Sequence, residues 1–576
     1  MNWPPLIYLR HKYAVLVCLI LSLGLFLRLW GIGHDLPYSY YGDENQLIYS
    51  SLKFGTGDFN PHWFFWPTLF QYFVFFLFGL FYISGLLAGY FNSASDIIYL
   101  YVRSPAAFLI IGRSAASFFG ISTIILVYIL ARRYFGDKKA LLAAFLYSVL
   151  PLAVEYSHYA VVDTPLVFMI TLAVIFILRL YESAGVKNYI LSGLFLGLAF
   201  GIKYSALFLI VPLYLAQFMR KDRRGLLGRM LDGKIVISLF SAIVAFFAVC
   251  PYAFLDWRTF LRDIKVQYIA AKLGWYGFER FNSLAVHISQ NLREGLSFPV
   301  LVFSLCGLFF GLKKKKGPEF ILAVIVPLYF FAISFSRNPY PKFMLPLLPF
   351  LSIFAAAALI ELVGKIRAMR SPVPKNIIFL LFPVIIIFPL SSSVHLDRNL
   401  NLLNTMTIAK GWIEANIPKG SRILMTAYGP ALVQSPEDIV EDYTQLSMVT
   451  PTYNYHKERS NFYRIKQEVA SQKTNYKISY ILSPVAALEN KPAYEYMFKD
   501  SLSSINNYKE KFQYIVITDA SYAKLLQAPN SRLAKRYRKL KGFYKELTRE
   551  FAPEKVFRPE PGISRGPVVS IYKISR

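Results

Sequence analysis

Long apolar blocks separated by short polar connections fill the first two thirds of the 576-residue chain. A straight transmembrane helix needs roughly 20 apolar residues, and most of these blocks approach that length. They predict eleven membrane-spanning helices: Tyr13–Trp30, Arg113–Ala131, Ala140–Val154, Pro165–Leu180, Tyr189–Ile202, Tyr204–Phe218, Ile235–Ala253, Ser297–Leu312, Glu319–Phe335, Phe343–Val363 and Ile377–Ser391.

One further apolar and aromatic block, Trp63–Tyr90, is interrupted by Pro67 and Gly79. If this block crossed the membrane, the later basic loops would lie outside, against the positive-inside rule. We therefore interpret residues 63–90 as interfacial or re-entrant helices. The basic clusters that should remain on the cytoplasmic side are Arg10 with Lys12, Arg132-Arg133, Arg220–Arg224, Lys313–Lys316 and Lys365–Arg370.

This parity places the N-terminus in the cytoplasm and the polar C-terminal region outside the plasma (inner) membrane. It divides the chain into a transmembrane domain, residues 1–392, and an extracytoplasmic soluble domain, residues 393–576. The transmembrane domain carries two long outer loops, residues 31–104 with juxtamembrane helices and residues 254–296.

The C-terminal region has the alternation of short apolar runs and helical stretches that is typical of a small α/β or α+β domain. Leu402–Asn416 reads as an amphipathic helix, because Pro418 and Gly420 follow it directly. Strand-like runs lie at Arg422–Ala427, Lys477–Leu482, Tyr514–Thr518 and Val568–Ile574. The region carries no glycine-rich phosphate loop and no nucleophile elbow.

Composition agrees with a polytopic membrane protein and excludes several other classes. The chain is 55% hydrophobic and only 17% charged, with a mean hydropathy of +0.41. Its net charge of +29 does not indicate nucleic-acid binding, because much of the excess lies in short loops that orient spans. Cys18, Cys250 and Cys306 all lie in apolar blocks, so neither a disulfide framework nor a zinc site is predicted.

The predicted topology brings most of the polar candidates to the same outer surface. Ionisable groups near a membrane are costly, so they usually pair with each other or serve function. Carboxylates together with cations suit an anionic, lipid-borne substrate. The candidates are Asp43, Glu44, Asp163, Glu155, His158, Arg113, Lys203, Arg337 and Lys342, flanked by Tyr41 and Tyr204.

Each candidate also has a purely structural interpretation. Asp43 could cap a helix beginning at Glu44, and Asp163 could cap one with a proline in its first turn. Lys203 and Arg113 could extend their charged ends toward the membrane interface. His158 has no companion at metal-ligand spacing.

Several motifs carry a resemblance to the GT-C superfamily of membrane glycosyltransferases. The likeness is to the branch of protein O-mannosyltransferases and of aminoarabinose transferases that modify lipid A. It rests on order and spacing across the first two hundred residues, with a similar later segment. The segments are Leu27–Trp30, Tyr41–Glu44, Gly112–Gly120, Ala131–Gly136, Glu155–Asp163, Gly197–Tyr204 and Tyr340–Pro349.

The resemblance implies a sugar donor carried on a polyprenyl phosphate, an active site on the non-cytoplasmic face, and inversion at the anomeric carbon. It implies that Asp43 is the catalytic carboxylate and that Asp163 matches a second acidic position. Where relatives often have Arg-Tyr-Ala-Arg-Pro-Asp, this chain has His158 to Asp163, so both basic positions differ. A Trp-Trp-Asp motif, expected of N-linked oligosaccharyltransferases, is absent from the sequence.

The residues suggest a single displacement in which Asp43 accepts the proton of an acceptor hydroxyl. The leaving lipid phosphate needs fixed positive charge, for which Arg113, Lys203, Arg337 and Lys342 are the candidates. Glu44 and Asp163 could orient the acceptor, tune Asp43, or hold a divalent cation together with it.

The acceptor could be a protein, a lipid or a growing glycan, and membrane lipids surround the site. Two alternatives stay open: a transporter or flippase of a lipid-linked substrate, and a non-catalytic member that only binds a partner. A transporter would place charges and broken helices near the bilayer midplane, with inverted repeats.

Overall fold

The computed structural model describes residues 11–220, 228, 232–273, 282–368, 377–426, 429–440, 455–481, 506–527 and 538–574. Arg10, Lys221 to Arg224 and Arg370, all assigned to basic loops, lie outside these ranges. A helical membrane domain comes first and a sheet-containing domain follows it, which confirms the predicted fold class.

Apolar blocks fold into helices because a helix satisfies its backbone hydrogen bonds internally. The membrane domain contains α1 His11–Leu29, α2 Gly42–Lys53, α3 Leu69–Leu87, α4 Ala94–Arg103, α5 Ala106–Phe135, α6 Asp137–Val149, α7 Pro151–Glu155, α8 Asp163–Glu182, α9 Val186–Phe200, α10 Ile210–Phe218, α11 Lys234–Val249, α12 Tyr252–Leu255, α13 Trp257–Leu273, α14 Ser283–Leu296, α15 Phe298–Lys313, α16 Pro318–Ser334, α17 Leu348–Ala368 and α18 Ile377–Leu400.

Each of the eleven predicted spans falls on helix, although the ends shift. Within the described residues, six helices are long and apolar enough to cross a membrane, or seven if α14 and α15, bent by 110°, form one span. Four shorter apolar segments add to these: Val186–Phe200, Tyr204–Phe218, Lys234–Val249 and Pro318–Ser334.

Two predicted spans are interrupted for local reasons. Block Ala140–Val154 breaks between α6 and α7, because Leu150 takes an extended backbone before Pro151. The last span continues beyond Ser391 as a single helix to Leu400. The predicted outer loop 254–296 does hold helices, α13 and α14.

Helix α3 is long enough to cross a membrane, and it packs along the first half of α5 and on α2. Phe70 and Phe73 pack against Phe119, whereas Phe78 and Phe81 pack against Phe108, so α3 runs antiparallel to α5. The following helix α4 reaches the C-terminal domain. The interfacial interpretation of residues 63–90 stays a prediction.

Helices α9 and α11 approach each other closely through small residues. A Cβ atom at Gly193 would lie 2.0 Å from the Ser238 carbonyl oxygen, and one at Gly197 would lie 2.2 Å from that of Ala242. Glycines four positions apart remove side chains from one helix face and so let two backbones meet. Packing of this kind fixes the turn after α9, where Lys203 lies.

The C-terminal domain is built on a mixed six-stranded sheet with strand order β3-β4-β2-β5-β8-β6. Strands β2, β3, β4 and β5 are parallel, and β8 and β6 join antiparallel. A separate parallel pair, β1 and β7, lies beside this sheet. The strands are β1 Leu403–Asn404, β2 Arg422–Thr426, β3 Val433–Gln434, β4 Asn475–Ile481, β5 Tyr514–Thr518, β6 Lys555–Phe557, β7 Ser564–Arg565 and β8 Val569–Lys573.

Helices cover both faces of the sheet, as the apolar character of its central strands requires. In β5, Ile515 and Ile517 face one apolar core, and Tyr514 and Val516 face the other. The four predicted strand runs are all present as β2, β4, β5 and β8. The helices are α19 Thr405–Asn416, α20 Tyr455–Ser471, α21 Asn506–Lys509, α22 Asp519–Gln527 and α23 Arg538–Glu550.

Candidate functional site

Two carboxylates predicted as possible helix caps do not act as caps. Helix α2 begins at Gly42, two residues earlier than the cap interpretation of Asp43 requires, and its N-cap Tyr41 makes no side-chain cap bond. Helix α8 begins at Asp163 itself after the N-cap Val162. Both carboxylates therefore lie in a first helical turn, where the helix dipole favours negative charge and leaves them available for other partners.

Asp43 pairs with Lys342, 299 positions further along the chain. The Lys342 ammonium also lies 5.8 Å from the ring centroid of Tyr41 and 5.6 Å from that of Tyr340. The Asp43 side chain remains 34% exposed, whereas that of Lys342 is 13% exposed. The pair is therefore open to a ligand from the Asp43 side.

A second pair lies beside the first. Lys203 Nζ donates a 2.6 Å hydrogen bond to Asp163 Oδ1. The same ammonium lies 5.0 Å from the ring of Phe343, the residue that follows Lys342. Four segments far apart in the chain thus bring two carboxylates and two lysines together. We call Asp43, Asp163, Lys203 and Lys342 the mouth cluster.

Glu44 and Arg113 form a different kind of pair, fully buried on both sides. Arg113 donates from Nε to Glu44 Oε1 and from Nη2 to Oε2, at 2.8 Å each. Ser39 Oγ and the Ala160 backbone N–H also donate to the Glu44 carboxylate. Such a bidentate, saturated pair holds structure and leaves the carboxylate no unused face.

The remaining donors of Arg113 turn toward the backbone. Its Nη1 donates to the carbonyl oxygens of Ile32 and His34, at 2.8 Å each. With no exposed surface and both guanidinium edges occupied, Arg113 does not fit the predicted role of phosphate ligand. Arg113 and Glu44 instead fix the loop that leads to Asp43.

The other predicted residues lie around this centre with different partners. The Tyr204 hydroxyl donates a hydrogen bond to the Phe64 carbonyl oxygen. Tyr204 thus holds the part of outer loop 31–104 around Phe64. His158 is fully buried, its two ring nitrogens 2.9 Å from the Val154 carbonyl oxygen and 3.1 Å from that of Trp30.

Arg337 and Glu155 complete the predicted set. Arg337 has an exposed side chain, and its backbone N–H donates to the Ala271 carbonyl oxygen in α13. Glu155 ends α7 and is partly buried next to Tyr156. Neither residue contacts the mouth cluster through a bond that the described structure shows.

Three contributors were not predicted. Ser39 supplies the 2.6 Å hydrogen bond to Glu44, and Tyr159 stacks on Tyr41 with ring centroids 4.8 Å apart. Tyr159 lies inside the predicted Glu155–Asp163 motif, which was the available signal. Arg565 of the C-terminal domain pairs with Asp35, and nothing near Arg565 in the sequence indicates it.

A divalent cation finds little support in this geometry. Within the described ranges, no three His, Cys, Asp or Glu side chains converge as a metal site would require. Asp43 and Asp163, the two residues predicted to hold such an ion if any did, each face a lysine. A cation would have to displace those lysines.

The architecture is that of a polytopic helical membrane protein with a C-terminal α/β domain. Residues 112–253 match the family model described as dolichyl-phosphate-mannose-protein mannosyltransferase. This segment contains Arg113, Glu155, Asp163 and Lys203.

A curated relative from Pseudomonas fluorescens is undecaprenyl phosphate-alpha-4-amino-4-deoxy-L-arabinose arabinosyl transferase 1. It is 24% identical over 333 residues, which is 54% of this chain and 57% of the relative. The chain therefore matches little more than half of that relative's length.

Solved structures share the fold at low identity. ArnT from Cupriavidus metallidurans bound to undecaprenyl phosphate aligns at 12% identity with a TM-score of 0.50, covering 98% of each chain. Its apo state gives 0.51, covering 97% of this chain and 98% of ArnT. The apo oligosaccharyltransferase of Archaeoglobus fulgidus gives 0.50 at 13% identity, covering 92% and 73%. These alignments show that the chain has the GT-C fold that its motifs predicted.

Proposed function

We propose that this protein is a glycosyltransferase that moves a sugar from a polyprenyl-phosphate donor to an acceptor hydroxyl, with inversion at the anomeric carbon. The observation that carries the proposal is the mouth cluster: two carboxylates, each beside a lysine, assembled from four distant segments. The family model and the arabinosyl transferase relative, both named for polyprenyl-phosphate sugars, support the choice of donor.

Asp43 is the proposed general base. Of the three predicted catalytic carboxylates, Asp43 is 34% exposed, while the side chains of Asp163 and Glu44 are 4% and 0% exposed. Only Asp43 is therefore open to an acceptor hydroxyl. Asp163 keeps the nearby Lys203 in place, and Glu44 positions the loop through Arg113.

The proposed step is one displacement. Asp43 accepts the proton of the acceptor hydroxyl while that oxygen forms a bond to the anomeric carbon. The bond from that carbon to the phosphate oxygen breaks, and its electron pair leaves with the polyprenyl phosphate. Because this leaving group is already a stable anion, no general acid is needed, and fixed positive charge stabilises it instead.

Lys203 and Lys342 are the proposed phosphate ligands. Both ammonium groups point into the mouth cluster and are partly exposed. In the ligand-free protein each lysine neutralises a carboxylate. A bound phosphate would supply a competing anion, which would release Asp43 to act as a base. The role of Arg337 as a phosphate ligand stays a prediction, since its side chain is exposed and no bond in the described structure joins it to either pair.

Sidedness is part of the proposal. Asp43 of the mouth cluster closely follows loop 30–41, which contacts the C-terminal domain. The positive-inside argument puts this end on the non-cytoplasmic face of the membrane. The acceptor would then be a protein, lipid or glycan of that compartment.

The test is turnover of polyprenyl-phospho-sugar by purified Asp43→Asn. A positioned base contributes about 10²–10⁴-fold, so we expect a loss of that size. Asp137→Asn is the matched control, because Asp137 is 39% exposed, faces Arg132, and begins α6 just beyond the end of α5 that lies away from Arg113. The control should keep the wild-type rate.

Near-normal turnover by Asp43→Asn would remove Asp43 as the base. A wild-type protein that moves the intact donor across a vesicle membrane without cleaving it would replace the enzyme with a transporter. Donor binding with neither cleavage nor movement would indicate a non-catalytic binding protein.

A further inference from the structure

The loop between α1 and α2, residues 30–41, leads to Asp43 in the first turn of α2 and is held from two sides. On the membrane-domain side, Arg113 binds the carbonyl oxygens of Ile32 and His34 and the carboxylate of Glu44. These contacts fix the beginning and the end of the loop. Ser39 also donates to Glu44, which leaves Asp35, Tyr38 and Tyr40 to other partners.

Those partners belong to the C-terminal domain. Arg565 Nη2 lies 2.6 Å from Asp35 Oδ2, with both side chains largely buried. The Tyr40 hydroxyl is hydrogen-bonded to Thr407 Oγ1 at 3.0 Å, and the Tyr40 ring packs on the core of the C-terminal domain. The ammonium of Lys410 lies 5.5 Å from the ring centroid of Tyr38.

The backbone of Asp35 shows why this anchoring matters. Its φ of +60° lies in the left-handed region, which is unfavourable for a residue with a side chain. Such a conformation persists only where the surroundings fix it. The Asp35 side chain is held by the buried ion pair with Arg565, together with Asn404 of the same domain.

Arg565 is itself rigidly placed. It lies in β7, which pairs with β1 through Arg565 and Asn404. The next residue, Gly566, has φ +109°, and a Cβ there would lie 2.5 Å from Asn404 Oδ1, so only glycine fits. Thr405 Oγ1 donates to the Pro567 carbonyl oxygen at 2.6 Å. The guanidinium is therefore presented from a fixed frame.

We propose that Arg565 is a positioning residue, through which the C-terminal domain sets the conformation of loop 30–41 and hence the position of Asp43. Only two residues separate Tyr40, bound to the C-terminal domain, from Asp43. The effect on catalysis rests on the function proposed above, whereas the effect on the loop does not. The C-terminal domain thus acts on the reaction without touching the substrate.

The test compares Arg565→Ala with wild type in full-length protein purified in detergent. Arg565→Ala removes the charged interaction with Asp35 and so lowers the local stability of the loop. We expect amide hydrogen exchange in residues 31–44 to become about tenfold faster. Turnover should fall by a similar factor through kcat, with the KM for the donor unchanged. Arg565→Lys, which restores the positive charge, should recover much of both.

Arg549→Ala is the matched control, because Arg549 lies in the same domain with a side chain 78% exposed. It should change neither exchange nor turnover. Asp35→Asn removes the charge from the other partner while keeping a residue that tolerates positive φ, and should reproduce the effect of Arg565→Ala.

Wild-type exchange in residues 31–44 of both Arg565→Ala and Asp35→Asn would overturn the proposal. So would a loss of turnover that appears only in the KM for the donor. If wild-type protein transfers no sugar, the proposed function fails, but the exchange measurement still decides whether the C-terminal domain holds the loop.

Discussion

Asp43 and Glu44 are chemically similar neighbours that the fold treats in opposite ways. Glu44 and Arg113 are 0% exposed, and the carboxylate receives hydrogen bonds on both oxygens. Asp43 is 34% exposed and meets a single lysine. A saturated buried pair holds structure, whereas a half-open pair can exchange its partner for a ligand. Because the two residues are consecutive on helix α2, their side chains point in different directions, one into the protein and one toward the open site.

The largest effect is expected from removal of the buried cation, Arg113. Arg113→Ala leaves the Glu44 carboxylate buried without compensation, which costs about 3–5 kcal/mol of stability. A thermal melt of the detergent-purified protein measures it. Arg133→Ala is the control, since Arg133 lies on the same helix and also meets a carboxylate, Glu182, with two hydrogen bonds but with half-open side chains.

We expect the Arg133→Ala change to remain within about 1 kcal/mol. If the two variants had the same melting temperature, the distinction between a structural pair and a reactive pair would be wrong.

A second test uses His34, whose ring is buried beside Arg113 and Arg565. Burial, followed by these two arginines, lowers the pKa of His34 to about 2, from an ordinary 6.5. The titration of His34 therefore leaves the stability of the folded protein unchanged above pH 6.5. Below pH 6.5 that stability falls progressively as the pH drops toward 2, because only the unfolded state binds the proton. At pH 5 the unfolded state gains about 2 kcal/mol from binding a proton that folded His34 rejects.

Thermal melts between pH 7 and pH 5 should therefore show less acid destabilisation in His34→Gln than in wild type. His395→Gln, at an exposed histidine, should behave like wild type. Equal acid sensitivity in His34→Gln and wild type would show that His34 is not held neutral.

The smallest expected effect concerns the lysines that pair with Asp43 and Asp163. Lys342→Ala and Lys203→Ala should each weaken polyprenyl-phosphate binding about tenfold, because each removes one charged hydrogen bond to the phosphate. Stability should change little in Lys342→Ala, because Asp43 is 34% exposed. Lys203→Ala should also lower the melting temperature, because it leaves Asp163, 4% exposed, without its cation. Direct titration of the purified variants with the lipid phosphate measures the affinity.

Lys139→Ala controls for general loss of charge, since Lys139 pairs with the half-exposed Glu361. Unchanged affinity in Lys203→Ala would remove Lys203 from the proposed site. Unchanged affinity in Lys342→Ala would leave Asp43 with a permanent structural partner and weaken its assignment as a base.

Local sequence determined the helical membrane domain, because span length and hydropathy are properties of contiguous residues. It also determined the four central strands of the C-terminal domain, whose apolar runs are equally local. The order of the motifs selected Asp43 and Asp163 as acidic positions. These inferences need no knowledge of which segments touch.

Tertiary structure alone decided which charges meet. Arg113, Lys203, Arg337 and Lys342 look equivalent as cations in the sequence. Packing buries the first against Glu44, directs Lys203 and Lys342 into the mouth cluster, and leaves Arg337 exposed. The pairing of Asp43 with a lysine 299 positions away, and of Asp35 with Arg565, depends on long-range packing that no local pattern encodes.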